Sequence, residues 1–326
     1  MRSRSITVLP ALFAALAALP QAGAQSYPTK PIRVIIPYAG GAMDASLRVF
    51  TPLMEKDLGQ PLVFDHRTGA GGTVGQAATA RSAPDGYTIL ATTANPWVIT
   101  PAVKKVMPYD PIKDFTPITI ISVFSELIVA TKSFPADTLA ELIDYVKRNP
   151  GKISYATSGV GGGQHLAAEM LSRRAGLDMI HVTYQGMGPV VTAMLGGHVP
   201  LTVIVLQVVK PGVDAGKLKY IASTDRVRSA TLPAGVPLVS ETLPGFEGMP
   251  NWLAFAAPAG LPRPILQRLY EAAVKAMKTP EVETRYSAEF GATIVGNTPE
   301  DFAARVKSDF DTVLKAVKAA GIALQD

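Results

Sequence analysis

Glycine-rich segments recur four times where an apolar run gives way to a helical pattern, at residues 39–42, 69–72, 158–163 and 185–189. Glycine allows positive φ angles and lets a ligand approach the backbone amides closely. A helix that begins directly behind such a segment offers unpaired N–H groups and a partial positive charge. One helix start stabilises an anion by only ~0.3–1 kcal/mol. A single segment is ordinary turn geometry, but four of them predict a cleft that holds a carboxylate without arginine.

Motifs for catalysis, metal binding and nucleotide binding are incomplete in this sequence. Ser158 and His165 are a possible nucleophile and base, but no G-x-S-x-G elbow surrounds the serine and no orienting acid can be named. His165 and Glu169 lie four residues apart without a third metal ligand nearby. A dinucleotide fingerprint at residues 159–164 would need glycine in place of Gln164. Since the chain also has no cysteine, the sequence predicts no enzyme, no metal and no cofactor.

Asp44 differs from the other polar residues near the first segment. It lies close to the start of the first predicted helix, where the amides stabilise an acid. We expect it to order the loop rather than to contact an anion, although an ordinary helix-start acid is the alternative. Tyr38, Met43, Trp97 and Met187 could line a pocket with apolar surface or could simply pack in the core.

Apolar, β-branched runs alternate with helical patterns along most of the chain. Predicted strands occupy residues 32–37, 61–64, 87–91, 152–156, 180–184, 199–209 and 253–257. Continuous runs of this kind are typical of strands buried on both faces of a parallel sheet. The alternation predicts an α/β fold of two similar lobes with mostly parallel sheets, and ligands outside the carboxyl ends of the strands. The last helix, with Thr298 as N-cap and Pro299 at its first position, is expected to return to the first lobe.

The first residues have the features of an export signal. A positively charged start precedes an apolar stretch at residues 6–19, and small residues at 22–24 form a cleavage pattern. The stretch is shorter than the ~20 residues that a membrane span requires, although a membrane anchor is the alternative interpretation. We therefore expect residues 1–24 to be a signal peptide, cleaved near Ala24, and the mature protein to lie in the periplasm.

The charge pattern argues against a nucleic-acid partner. The formal charge of +5 falls to +3 without Arg2 and Arg4, which belong to the predicted signal. The remaining basic residues are dispersed, whereas a nucleic-acid interface needs a basic patch. A weak positive charge is compatible with attraction of a small anion.

Several segments, taken in order, make the sequence recognisable. They include G-G-x-x-D at residues 40–44, R-T-G-A-G-G at 67–72 and Y-D-P-x-K-D-F at 109–115, with further matches at residues 27–37, 83–88, 155–166, 181–197, 258–262 and 298–300. Together they resemble the Bug-type receptors, which are the solute-binding proteins of tripartite tricarboxylate transporters. The resemblance spans nearly the whole mature chain.

The resemblance implies a periplasmic binding protein fold of type II-like architecture. Two α/β lobes would be joined by crossing strands, with the ligand between them. We expect lobe 1 to be discontinuous, at residues 25–127 and 250–326, and lobe 2 to span residues 128–249. Matching motifs carry over a set of ligand contacts made by loop amides, hydroxyls and side chains: Tyr38, Ala39, Gly41, Ala42, Met43, Asp44, Thr92, Thr93, Ser158, Gln164, His165, Tyr184 and Gly186.

The function implied by the resemblance is capture of a small carboxylate. A dicarboxylate, a tricarboxylate or an aromatic acid would be bound by a monomer and delivered to the membrane permease subunits of a tripartite tricarboxylate-type transporter. Two alternatives remain open at this point. One is an exported enzyme that acts on a carboxylate or ester, and the other is a ligand-binding sensor for a membrane kinase.

The second lobe departs from the family pattern where relatives commonly carry acidic residues. Pro200 stands where an aspartate is usual, and residues 203–206 are all apolar at the end of the next strand. Loss of an acid near the cleft predicts that an amino-acid ligand with a free ammonium group is disfavoured.

Overall fold

The computed structural model describes residues 27–324, which form two α/β lobes built on separate sheets. The predicted signal peptide, residues 1–24, and its cleavage position lie outside the described residues. Within residues 27–324, every helix is too short or too polar to span a bilayer.

The first sheet has six strands in the order β11-β4-β10-β3-β1-β2. In chain order, its strands are β1 (Ile32–Ile36), β2 (Leu62–His66), β3 (Thr88–Thr93), β4 (Phe115–Phe124), β10 (Trp252–Pro258) and β11 (Ala292–Ile294). Strand β1 is almost entirely buried, as its run of isoleucine and valine predicts.

The second sheet has five strands in the order β7-β6-β8-β5-β9. Its strands are β5 (Glu126–Thr131), β6 (Ile153–Thr157), β7 (Met179–Thr183), β8 (Leu201–Val205) and β9 (Leu218–Ser223). The run at residues 199–209, which the sequence predicts as one strand, divides into β8 and the start of a helix at Leu206. A continuous apolar run carries no periodicity that could separate the two.

Helices follow most strands. They are α1 (Ala42–Leu58), α2 (Thr73–Ala80), α3 (Thr100–Val103), α4 (Leu139–Arg148), α5 (Gly163–Ala175), α6 (Met187–Leu195), α7 (Leu206–Asp214), α8 (Val239–Thr242), α9 (Arg263–Met277), α10 (Pro280–Phe290) and α11 (Pro299–Ala320). The Thr298 hydroxyl accepts a hydrogen bond from the Asp301 N–H, so the predicted N-cap of α11 is confirmed.

Both sheets are mixed rather than mostly parallel. Parallel pairing joins β1 to β2 and β3, and β6 to β7 and β8, which are strands with short connections into helices. Strands β4, β5, β10 and β11 pair antiparallel to their neighbours. Strand β10 in the first sheet and β5 in the second adjoin the points where the chain passes between the lobes and run against the βα units, whereas β4 runs in the same direction as β1, β2 and β3.

The chain passes from the first sheet to the second at Ser125, which separates β4 from β5. It returns through residues 224–251, which lead into β10. The first sheet therefore draws its strands from residues 32–124 and 252–294, and the second from residues 126–223. The lobe limits expected from the sequence, at residues 127 and 250, stay a prediction.

An aromatic cluster anchors the last helix to the first sheet. Trp97, Trp252 and Phe302 meet edge to face, with ring centroids 5.3–5.7 Å apart. Such pairs contribute about 0.5–1.5 kcal/mol beyond their burial. The Trp97 Nε1–H donates to the Pro111 carbonyl at 2.8 Å. Of the two roles that the sequence leaves open for Trp97, packing is therefore the one observed.

Asp309 links this cluster to the returning segment through a fully buried carboxylate. Its Oδ2 accepts from the Trp252 Nε1–H at 2.9 Å, and its Oδ1 pairs with Arg226 at 3.0 Å and with Arg305 at 2.8 Å. Removal of one partner of a buried ion pair leaves the other charge without a partner, which is strongly destabilising.

We expect Asp309→Ala to lower the free energy of unfolding by about 3–5 kcal/mol, because Arg226 and the Trp252 indole would lose their acceptor. Urea unfolding followed by tryptophan fluorescence measures the change. Asp311→Ala, an exposed acid two residues further along the same helix, is the matched control and should change it by less than about 0.5 kcal/mol. Equal effects of the two substitutions would contradict this role of Asp309.

Candidate functional site

The first wall of the cleft is the loop between β1 and α1. Residues 38–41 leave the carboxyl end of β1, and α1 begins at Ala42. Ala39, Gly41, Ala42 and Met43 all line a cavity in front of this helix start. The backbone amides of the first helical turn have no intrahelical acceptor, so they are available to an anion.

Tyr38 and Thr93 connect the ends of two adjacent strands of the first sheet. The Tyr38 hydroxyl and Thr93 Oγ1 are hydrogen-bonded at 3.0 Å. Burial raises the pKa of Tyr38, which keeps the hydroxyl protonated and able to donate. Thr92, its neighbour, is fully buried, and its hydroxyl faces the Thr93 carbonyl at 3.4 Å.

Asp44 lies in the first turn of α1 and contacts the end of the neighbouring strand β2. Both of its carboxylate oxygens lie 2.9–3.0 Å from His66 Nε2, at the end of β2. This contact joins the first turn of α1 to the neighbouring strand. Asp44 is not among the residues that line the cleft cavities.

The second glycine-rich loop, residues 69–72, packs against Pro37 and Pro96, which adjoin the cavity residues. Gly72 has φ +100°, and a Cβ atom there would lie 3.1 Å from Pro96 and 3.4 Å from Pro37. Glycine is therefore required both by the backbone conformation and by close packing. Pro37 precedes the first loop and Pro96 follows Asn95, so this loop holds the cavity residues in place without lining the cavity itself.

The second wall is the loop between β6 and α5. The Ser158 hydroxyl donates to Gln164 Oε1 at 2.5 Å, across the start of the helix. Ser158, Gly162, Gly163 and Gln164 all line the cleft. The loop therefore presents a hydroxyl, a side-chain amide and the free N–H groups of a helix start at one place.

His165 holds this loop rather than facing the cleft. Its Nδ1 accepts a hydrogen bond from the Gly161 N–H at 3.0 Å, and its ring stacks on His181 with centroids 4.1 Å apart. His181 in turn stacks on Tyr155 at 4.9 Å. Burial lowers the pKa of both histidines, and for His181 burial and the neighbouring His165 together lower it to about 4.

The possible catalytic and metal arrangements are not formed. The Ser158 hydroxyl is bonded to Gln164 and His165 Nδ1 to Gly161, so the two atoms of a nucleophile–base pair are engaged elsewhere. The Tyr155 hydroxyl donates to Glu169 at 2.6 Å, while His165 Nε2 lies 3.9 Å from the same carboxylate. Within residues 27–324, no group of three His, Asp or Glu side chains could hold a metal ion.

Two adjoining cavities lie between the lobes. The smaller has a volume of about 240 Å³ and the larger about 700 Å³. Pockets of about 300–1,000 Å³ are typical of small-molecule sites. The two cavities share five wall residues: Tyr38, Thr93, Met187, Val205 and Asn251.

The cavities differ in chemistry. We call the smaller one the polar compartment, because its walls include Asn95, Glu126, Ser158, Gln164 and Asn251. The larger one is the apolar compartment, with walls that include Met43, Phe124, Val208, Leu253 and Phe290. A molecule with a polar head and an apolar body fits this arrangement.

Among residues 27–324, no lysine or arginine lines either compartment. Three helices begin at the walls instead, α1 at Ala42, α5 at Gly163 and α6 at Met187. Each helix start contributes ~0.3–1 kcal/mol, up to ~2 kcal/mol when partly buried. The arrangement can therefore hold an anion through amides and hydroxyls.

The structure brings most of the predicted contacts together. Tyr38, Ala39, Gly41, Ala42, Met43, Thr93, Ser158 and Gln164 line the compartments. Five other predicted contacts are not wall residues of either compartment, and their contact with a ligand stays a prediction: Asp44, Thr92, His165, Tyr184 and Gly186. Of these, Tyr184 donates its backbone N–H to the Thr157 carbonyl and packs in the second-lobe core, and Gly186 precedes α6 with φ +104°.

Several wall residues were not found by sequence reasoning. Glu126, Pro250 and Asn251 come from the two crossings between the lobes, which carry no glycine signal. Asn95 follows the polar end of β3 and could have been found there. Glu126 and Glu289 are acids in the cleft walls that the sequence argument missed, because it considered only the residues around Pro200 and 203–206.

Comparison with known proteins agrees with this geometry. The model of the tripartite tricarboxylate transporter family receptor, TctC, matches residues 47–315. The protein BugT of Bordetella pertussis is 30% identical over 326 residues, which cover 99% of each chain. The chain belongs to the tripartite tricarboxylate transporter receptor family. The resemblance identified from the sequence is thus confirmed.

Two solved structures have the same fold as this receptor. R. palustris Rpa4515 with adipate is 29% identical, with a TM-score of 0.76 over 91% of this chain and 99% of that one. MatC (Rpa3494) from Rhodopseudomonas palustris with bound malate is 30% identical, with a TM-score of 0.73 over 89% and 100%. The receptor therefore has the two-lobed binding-protein fold that the sequence predicts, and its family is one of receptors rather than enzymes.

The histidine stack of the receptor makes its stability depend on pH. The pKa of His181 is lower in the folded protein than its ordinary value of 6.5. The unfolded chain therefore takes up the proton first as the pH falls. The stability contributed by neutral His181 is present above about pH 6.5 and is lost as the pH falls towards about 4.

We expect the wild-type free energy of unfolding to decline more steeply than that of His181→Gln between about pH 7.5 and 5. Urea unfolding at several pH values measures both. His198→Gln is the control, since His198 is exposed and should leave the wild-type slope unchanged. Parallel curves for wild type and His181→Gln would contradict the role given to the stack.

Proposed function

We propose that this receptor captures a small carboxylic acid between its lobes and delivers it to the membrane subunits of a tripartite tricarboxylate-type transporter. The observation that carries the proposal is the position of three helix starts, with α5 and α6 beginning at the polar compartment and α1 at the adjoining apolar one, beside walls that contain no basic side chain within residues 27–324. This geometry suits a carboxylate held by neutral donors. The adjoining apolar compartment suits the rest of the acid.

The carboxylate head would bind in the polar compartment. Gln164 and Thr93 would donate side-chain hydrogen bonds, Ser158 would donate after its hydroxyl turns from Gln164 Oε1 to the ligand, and the start of α5 would provide N–H groups. Hydrogen bonds in which the acceptor is ionised are roughly twice as strong as neutral ones. Of the contacts carried over from the family motifs, Tyr38 lines both compartments, and residues 39–43 line the adjoining apolar one, where the start of α1 offers further N–H groups.

The body of the acid would extend into the apolar compartment. Met43, Phe124, Leu253 and Phe290 offer carbon surface there. Burial of each methylene contributes about 0.8 kcal/mol. The walls therefore favour a linear dicarboxylate or an aromatic acid over a compact tricarboxylate. The structures of relatives with adipate and with malate support a dicarboxylate.

Closure of the lobes would complete the site. The chain crosses between the sheets only at Ser125 and through the segment that ends at Asn251, within residues 27–324. Hinges of this kind absorb a rotation in a few residues at element ends. We propose that the receptor is exported to the periplasm and acts there as a monomer. Its closed form would present a new surface to the permease and release the acid unchanged.

A thermal-shift screen of the mature protein tests the proposed function. A ligand that binds only the folded state stabilises it by RT ln(1 + [L]/Kd), about 2.7 kcal/mol at one hundred times Kd. We expect adipate, malate or an aromatic acid to raise the melting temperature in a concentration-dependent manner. The acid should be recovered unchanged after incubation, as chromatography would show. No shift with any aliphatic or aromatic acid, or turnover of the acid, would contradict the proposal.

Ser158→Ala tests the polar compartment. Loss of one hydrogen bond to a charged group costs about 1.5–3 kcal/mol, so affinity for the acid found in the screen should fall about 10- to 100-fold. Titration calorimetry measures the affinity. Ser154→Ala, earlier on β6 and away from the cavity walls, should leave it unchanged. Unchanged affinity in a folded Ser158→Ala protein would remove Ser158 from the site.

A further inference from the structure

Glu126 is a buried acid in the wall of the polar compartment. It is the first residue of β5, directly after the crossing at Ser125, and only 5% of its surface is exposed. Its backbone N–H donates to Asp225 Oδ1 at 3.0 Å, and its carbonyl accepts from the Thr224 N–H at 2.9 Å. The backbone therefore holds Glu126 at the junction of the two lobes.

The surroundings of Glu126 oppose a negative charge. Burial and the nearby Asp225 raise the pKa of its carboxyl and a side-chain hydrogen bond with Thr224 lowers it, with a net increase to about 8. Burial also raises the pKa of Asp225, against lowering hydrogen bonds that include the Glu126 N–H. Two acids in one buried corner do not both ionise readily.

The other titratable groups around this corner do not compensate the charge. Across the compartment, Tyr38 is a protonated phenol, and behind Gln164 the buried His165 has a lowered pKa. Arg226 follows Asp225 in the chain but pairs with Asp309 at 3.0 Å. Strand β8, which pairs with β5, carries no titratable residue.

An ionised Glu126 would repel the anion that the compartment is proposed to hold. A protonated Glu126 would instead donate an O–H···O⁻ hydrogen bond, which is short and among the strong hydrogen bonds of proteins. The same residue is therefore an obstacle in one protonation state and a ligand contact in the other.

We propose that Glu126 binds the carboxylate of the captured acid as a neutral hydrogen-bond donor in the polar compartment. The inference rests on the proposed function, since it specifies how the same site recognises its ligand. Where Glu126 is ionised in the free receptor, binding takes up one proton from solvent and no covalent bond changes. The ammonium group of an amino acid gains no ion pair from a neutral Glu126.

Calorimetric titration with adipate and with malate from pH 6.5 to 9.5 tests the inference. Affinity should be constant up to about pH 7 and then fall by roughly tenfold per unit above about pH 8, because each binding event takes up a proton. Glu126→Gln keeps a neutral donor, so this variant should still bind the acid at pH 7. Its affinity should change little between pH 6.5 and 9.5. Glu283→Gln, an exposed acid on α10, should keep the wild-type profile. A flat wild-type profile, or equal slopes for wild type and Glu126→Gln, would overturn the inference.

Infrared difference spectroscopy of the ligand-free receptor provides a second test that does not depend on which acid binds. A protonated carboxyl band should be present at pH 6.5 in the wild type, be lost as the pH rises past about 8, and be missing in Glu126→Gln. Absence of this band at pH 6.5 would overturn the inference even if adipate or malate binds. Failure of every acid in the screen at pH 6.5 would instead overturn the proposed function, and the band would still decide the state of Glu126.

Discussion

The cleft of this receptor must stabilise an anion without a basic side chain in its walls. Each helix start supplies only ~0.3–1 kcal/mol, so several have to act together: α5 and α6 begin at the polar compartment, and α1 begins at the adjoining apolar one. Parallel strand pairs meet this requirement, because they bring the helix starts that follow them to the same edge of a sheet. Strands β1 and β3 in one lobe, and β6 and β8 in the other, present their carboxyl ends to the same cavity.

The two crossings between the lobes do more than join them. Ser125 separates β4 from β5, and its neighbours Phe124 and Glu126 line the apolar and the polar compartment respectively. Asn251, at the end of the returning segment, lines both. A rotation at the crossings would therefore move wall residues directly, which couples closure to contact with the ligand. The aromatic cluster of Trp97, Trp252 and Phe302 includes the first residue of β10 and packs this strand against α11.

The βα units could be predicted from the sequence because their signals are local. The β-branched run of β1, the glycines after it and the Thr298-Pro299 start of α11 each lie within a few residues of the element that they specify. The crossings could not be predicted in this way. Glu126 reaches the cavity only because β5 pairs with β8 and β9, and those pairings join residues about eighty and one hundred positions apart. The wall residues that were missed are mainly those whose position depends on such distant pairing.

This division has a consequence for ligand choice. The loops that bind a carboxylate head act through backbone amides and are supported from behind, by Gly72 against Pro96 and by His165 bonded to Gly161. They leave little room for side chains to discriminate. The apolar compartment is bounded by Phe124, Leu253 and Phe290, from strands and a helix of the first lobe, and by Val205 and Val208 from the second. Substitution of these side chains would reshape the space for the body of the acid without disturbing the helix starts. Recognition of the carboxylate and selection among carboxylates are therefore carried by different parts of the fold.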